Sequence, residues 1–204
     1  VNGYGVTPTL FDAQGNNLGS IPEDVLAAGA SGRIQAFHTS YDTYLGVFQY
    51  GENHENLTVV RVTDGPATVT VDDILFETDT LGAQENLNGT GDVDVNVYGN
   101  QAEFFVLSTN NGFAAYHAHI SSMQAVDAVY QKSVATGDMP SWFVADANRG
   151  VGGSLDYTYA VTNGYTDLAN SHIYYLDAAT GDSIGELSKT NVGENGVYPL
   201  NDVA

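Results

Sequence analysis

Between Asp92 and Tyr98 the sequence reads DVDVNVY, polar and apolar residues in strict alternation. Successive side chains on an extended chain point to opposite faces. Val93, Val95 and Val97 therefore share one face, and Asp92, Asp94 and Asn96 the other. The same period of two runs through Leu57–Thr63 (LTVVRVT), Ala67–Thr78 (ATVTVDDILFET) and Ser154–Thr162 (SLDYTYAVT). These runs are punctuated by Asp64-Gly65-Pro66, Asn110-Asn111-Gly112 and Asn163-Gly164, combinations that favour tight turns between antiparallel strands. Ala102–Thr109 (AEFFVLST) is almost wholly apolar, which predicts a strand buried on both faces. Two stretches depart from the pattern. Ser20 with Glu23 three residues on, and Gly29 as a stop, predicts a short helix over Ser20–Gly29. Ser121–Val134 has apolar residues at helical spacing but suits a strand pair nearly as well. With no polar, biased segment to serve as a linker, residues 1–204 read as a single all-β domain.

Two hairpins have the same design. LFDAQGNNLGSI (Leu10–Ile21) and YLDAATGDSIGEL (Tyr175–Leu187) each run from a strand into Asp-Ala, a glycine turn, and a Leu or Ile before Gly. Tyr44–Val62 and Phe104–Ile120 share a strand, polar turn, strand layout, and the units lie roughly 55–60 residues apart. Tyr159–Ala204 resembles the YVTN-type β-propeller repeat of surface-layer proteins. Tyr159, Thr162 and Asn163 match its opening, Ile173, Asp177, Thr180 and Ile184 its middle, and Gly193, Pro199, Val203 and Ala204 its end. The resemblance covers the last quarter of the chain. It implies a propeller-like arrangement of antiparallel sheets, with the C-terminal NDVA strand and the N-terminal hairpin sharing a closing blade. A β-sandwich or jelly roll is the alternative for a chain of this length and punctuation.

Charge narrows the partners. Five Lys and Arg face 25 Asp and Glu, a net charge of -20, yet charged residues make up only 15%, against about 25% in average domains. The imbalance comes from missing bases, in a chain rich in Gly, Asn, Thr and Tyr. That composition predicts an extracellular, cell-surface or virion location. A start at Val1 fits a processed secreted chain, and a trimmed one equally. Such a charge repels nucleic acid and anionic lipid, and no apolar run reaches the ~18 residues of a membrane-spanning helix. Other protein subunits, in a homo-oligomer or otherwise, and surface glycans are the expected partners. The charge favours divalent cations, Ca²⁺ above all. With no cysteine, disulfides, thiol catalysis and thiolate zinc sites are excluded.

His117-Ala118-His119 is the leading transition-metal candidate, because residues i and i+2 of a strand face one way. A third ligand would come from His38, His54 or His172. Asn86–Asp94 (NLNGTGDVD) has the glycine of a calcium loop but lacks its acidic first and twelfth positions, which argues against a helix-loop-helix site. Asp92 and Asp94 remain candidate Ca²⁺ ligands on one strand face. Asp72-Asp73 and Asp177 with Asp182 are similar, with turn capping as their other use. Asn56-Leu57-Thr58 and Asn88-Gly89-Thr90 are glycosylation sequons. The chain contains no nucleophile elbow, phosphate loop or dinucleotide fingerprint. Glu52 and Glu55 form a carboxylate pair of unfixed separation, and the tyrosines with Trp142 suit sugar stacking or cross-strand packing. The sequence thus predicts a non-catalytic β module for assembly or binding at a surface. The alternatives are a secreted metal-dependent hydrolase and a carbohydrate-binding module.

Overall fold

The computed structural model describes residues 8–26, 31–39, 42–50, 55–62, 65–84, 91–119, 126–154, 156–162 and 168–190. It is all-β. A short hairpin comes first, β1 (Thr9–Phe11) and β2 (Asn17–Ser20). Three four-stranded antiparallel meanders follow, each built from strands consecutive in the chain. The first sheet holds β3 (Ser31–His38), β4 (Thr43–Tyr50), β5 (Asn56–Val62) and β6 (Ile74–Glu77). The middle sheet holds β7 (Gly91–Tyr98), β8 (Gln101–Ser108), β9 (Gly112–His119) and β10 (Val126–Ser133). The last sheet holds β11 (Asn148–Gly153), β12 (Tyr157–Thr162), β13 (His172–Asp177) and β14 (Ser183–Glu186).

The alternation in the sequence sorts residues between two dry layers. Phe37, Phe48 and Leu57 of the first sheet meet Phe104, Val106 and Tyr116 of the middle sheet. The opposite face of the middle sheet sends Phe105, Leu107 and Phe113 against Val151, Ala160 and Leu176 of the last. Strand β8 therefore lies between two cores, with Phe104 and Phe105 both 0% exposed, as its almost wholly apolar run predicts. A third cluster lies behind the first sheet, where Leu45, Val60 and Val62 pack on Leu10, Ile21 and Leu26. The order of the stack is hairpin, first sheet, middle sheet, last sheet.

The leading strands of the three sheets lie side by side. Arg33 Nε on β3 donates to the Gly91 carbonyl at the start of β7 at 3.0 Å. The amides of Val151 and Gly153 on β11 donate to Asp92 and Asp94 of β7 at 2.9 and 2.8 Å. Partners advance together along both strands, so β7 and β11 run in the same direction. The leading strands begin at Ser31, Gly91 and Asn148, 60 and 57 residues apart. That matches the repeat length in the sequence. The strand, turn, strand units at Tyr44–Val62 and Phe104–Ile120 form the central two strands of successive sheets. The described residues do not close into a ring.

Three local expectations change. No helix forms at Ser20–Leu26. Ser20 ends β2 and its hydroxyl bonds to Thr9 Oγ1 at 2.7 Å, so it does not cap a helix. A single turn follows, with Val25 and Leu26 amides donating to Pro22 O, and it buries Ile21, Val25 and Leu26. Of Ala67–Thr78, only Ile74–Glu77 is strand. Pro66–Thr68 and Val71–Asp73 are 3-10 turns, the second held by a Thr70–Asp73 capping box. The ambiguous Ser121–Val134 stretch is strand from Val126, where β10 pairs with β9. The Asn163-Gly164 turn, the Asn88 sequon and the NDVA segment lie outside the described residues.

Candidate functional site

Cross-strand register on the middle sheet aligns Asn96, Glu103, His117 and Asp127, one from each strand. His117 Nε2 lies 2.7 Å from Glu103 Oε1, and the Tyr98 hydroxyl 3.4 Å from the same nitrogen. Glu103 is the buried member, its side chain 5% exposed against 36% for His117. Burial pushes the Glu103 carboxyl up from its ordinary range, and the His117 contact opposes that rise. Burial also raises the Tyr98 phenol, with the Glu103 charge adding to the effect. Glu103 Oε2 and Asn96 Nδ2 are buried without a hydrogen-bond partner. An acceptor and a donor left open on neighbouring strands can hold one water between them.

This arrangement gives His117 a carboxylate that fixes its ring, the way outer-layer carboxylates orient metal-binding histidines. His119 is exposed two residues on. Of the possible third ligands, His38 Nδ1 lies 3.0 Å from Thr43 Oγ1 on the first sheet, and His172 Nδ1 lies 2.8 Å from Glu186 Oε1 on the last. His54 and Glu52 lie outside the described residues. Among the described residues no three His, Asp or Glu side chains converge as a metal-ligating group. Sequence reasoning singled out His117 and missed its partners Glu103 and Tyr98. The available signal was a lone carboxylate inside the apolar run AEFFVLS, one strand away from a histidine.

The acidic candidates have structural duties. Asp92 and Asp94 accept the β11 amides described above, joining the middle and last sheets. Asp73 accepts the Thr70 amide at 2.9 Å and pairs with Arg61 at 3.3 Å. Its carboxyl is held low, first by that amide. Asp177 Oδ1 accepts the amides of Ala179 and Thr180, and Asp182 pairs with Lys132 at 3.2 Å. Asp12 does the same work in the N-terminal hairpin, accepting from Gln14 and Asn16. The Asn16 side chain is the main cause of its lowered pKa. Trp142 stacks on Tyr174 with ring centroids 4.8 Å apart and joins the core between the middle and last sheets. It is a packing residue.

The two ends of the stack present the remaining surfaces. At one end, among the described residues, the hairpin covers part of the first sheet. A cleft of about 720 Å³ lies beside β1, lined among others by Leu10, Phe11, Leu18, Arg33, Ile34 and Leu45. At the other end the face of the last sheet that points away from the middle sheet carries tyrosines. Tyr157 packs edge-on to Tyr175 at 5.8 Å and beside Tyr159 at 6.4 Å. Tyr157 is 39% exposed. A Cβ on Gly185 would come within 2.7 Å of the Tyr175 hydroxyl, so the glycine gives that ring its seat.

Among the described residues, fold and site together define an all-β protein of stacked antiparallel meanders, with a polar His117–Glu103–Tyr98 cluster on the middle sheet, a cleft beside the hairpin and a tyrosine-bearing face on the last sheet. No protein-family model, no curated protein and no solved structure matches the chain.

Proposed function

We propose that the chain is a non-catalytic assembly or binding module of an extracellular, cell or virion surface, with its sheets in a propeller-like arc. The observation that carries this reading is, among the described residues, the pair of surfaces at the ends of the stack: an apolar cleft beside the hairpin, and a sheet face bearing Tyr157, Tyr159 and Tyr175. Tyrosine joins apolar area to a polar tip and serves surfaces that meet a wet partner. The side-by-side leading strands, repeating every 57–60 residues, support the propeller-like arrangement. The scarcity of lysine and arginine supports the surface location.

The test is the mass and shape of the native particle by light scattering and small-angle scattering, with and without Ca²⁺. The reading expects a mass that rises with concentration, or a stable complex with a surface partner. A compact monomer that engages neither its own copies nor surface glycans would refute it.

A second reading is a metal-dependent hydrolase, favoured by the Glu103-oriented ring of His117. Zinc titration followed by calorimetry tests it. Binding that disappears in His117→Ala supports this reading, and unchanged binding ends it.

A further inference from the structure

We infer that Tyr98, Glu103 and His117 form a binding site for a divalent transition-metal ion of the zinc and copper class, on the face of the middle sheet that turns toward the last sheet. The site rests on the metal of the second reading above, names its ligands, and stands whether or not hydrolysis follows.

Strand pairing places the side chains. Asn96, Glu103 and His117 lie opposite one another on β7, β8 and β9, and Tyr98 is one row on, on the same face as Asn96. Their ends converge. His117 Nε2 lies 2.7 Å from Glu103 Oε1 and 3.4 Å from the Tyr98 hydroxyl oxygen. A proton between His117 and Glu103 serves two of these three atoms and leaves the phenol oxygen beyond good hydrogen-bond length. A metal ion serves all three. Ligand atoms of a tetrahedral zinc lie ~2.0–2.1 Å from the ion, and so about 3.4 Å from one another. The Tyr98–His117 spacing already has that value. The Glu103–His117 spacing reaches it by opening about 0.7 Å.

A second observation points to a cation. The Glu103 side chain is 5% exposed, and among the described residues its Oε2 has no hydrogen-bond partner. A buried carboxylate with one oxygen unmatched is costly, and a bound cation offsets that cost. Asn96, across from Glu103, has a buried Nδ2 that also lacks an acceptor. Turned over, its amide presents the oxygen as a fourth donor. The donor set selects the ion. An imidazole nitrogen among a few oxygens suits zinc and copper, whereas Ca²⁺ takes roughly six to eight oxygens. On binding, the phenol proton and the proton between His117 and Glu103 pass to water as the metal–oxygen and metal–nitrogen bonds form. All these side chains belong to β7, β8 and β9, so the site is independent of what covers either end of the stack.

The test uses the whole chain and Cu²⁺ as the probe, because a copper-bound phenolate has a visible charge-transfer band that a histidine pair does not give. Chain treated with chelator and then dialysed is titrated with Cu²⁺ under visible absorption, and excess Zn²⁺ is added as competitor. The expected result is a single ion per chain, the charge-transfer band, and loss of the band on adding Zn²⁺. Tyr98→Phe should abolish the band. Glu103→Gln should weaken binding about 10–100-fold or more. His119→Ala should change neither. Circular dichroism and the urea midpoint in chelator check the fold of each variant. Tyr98→Phe removes only the hydroxyl of a half-buried ring, so the test stands even if Glu103→Gln does not fold.

Copper that binds without the band and is lost in His119→Ala sits on the His117–His119 pair. That overturns this ligand set and leaves the metal of the second reading standing. A band that survives Tyr98→Phe comes from another tyrosine and also overturns the site. A chain that binds neither ion more tightly than His117→Ala does defeats both the site and the second reading.

Discussion

Asp94 decides between two uses of the acidic face of β7. Its Oδ2 accepts the Gly153 amide at 2.8 Å across the boundary between the middle and last sheets, and Asp92 does the same for Val151 at 2.9 Å. Asp94→Ala removes a charged acceptor and strands an amide at a sheet-to-sheet boundary. Hydrogen bonds to charged groups contribute about 1.5–3 kcal/mol, and an unsatisfied buried donor costs about 1–3 kcal/mol. The Asp94 side chain is only half-buried, which places the expected loss near the lower end, about 1.5–2 kcal/mol. Asp94→Asn retains a carbonyl acceptor of the same shape and should lose about half as much, since neutral acceptors are roughly half as strong. The assay is urea unfolding at neutral pH, in chelator and in millimolar Ca²⁺, with unchanged slopes showing that the unfolding transition is the same. Both variants should show the same loss in both media. If Asp94→Ala matches the unaltered chain in chelator and falls behind only in Ca²⁺, the residue is a metal ligand, and the strut role is refuted.

Two further perturbations probe the core and the polar cluster. A Cβ on Gly153 would collide with the Phe105 ring, so Gly153→Ala should destabilise by about 1–3 kcal/mol through overpacking. Adding Phe105→Leu should recover part of that loss in a double-mutant cycle, and additive losses would count against the clash. Glu103 has a raised pKa in the fold because burial disfavours its charge. A raised pKa means that its stabilising share is complete below the unfolded value near 4.5 and declines as pH rises through the folded value. The urea-midpoint difference between the unaltered chain and Glu103→Gln should therefore move against the unaltered chain as pH climbs from 4 to 8. A flat difference would disprove that sign.

Strand content was readable because it needs only local periodicity. DVDVNVY, AEFFVLST and FAAYHAHI all lie within β7, β8 and β9, give or take a residue at the ends. Two elements escaped for opposite reasons. Strand β11, NRGVGG, has little side-chain pattern to read. It is strand because Phe105 needs a bare backbone at Gly153 and two aspartates capture its amides. The Ser20–Gly29 stretch has helical signals, but Ile21, Val25 and Leu26 are drawn into the core behind the first sheet. Burial of these three in one place outweighs a capping preference of about 1 kcal/mol. In the same way His117 is legible as a polar residue on a strand, whereas Glu103 beneath it depends on register between β8 and β9.

The amino-acid order by itself determined that this chain forms antiparallel strands, that the Asn110-Asn111-Gly112 turn joins two of them, and that its net charge is -20. These follow from side-chain alternation, backbone preference and net charge, all of which act within a few residues or over the whole surface. Tertiary structure alone decided that the sheets stack face to face with leading strands side by side, that Asp92 and Asp94 bind a neighbouring strand, and that Glu103 meets His117. Those outcomes turn on which distant surfaces exclude water together, and residues 57–60 positions apart carry no local mark of that choice.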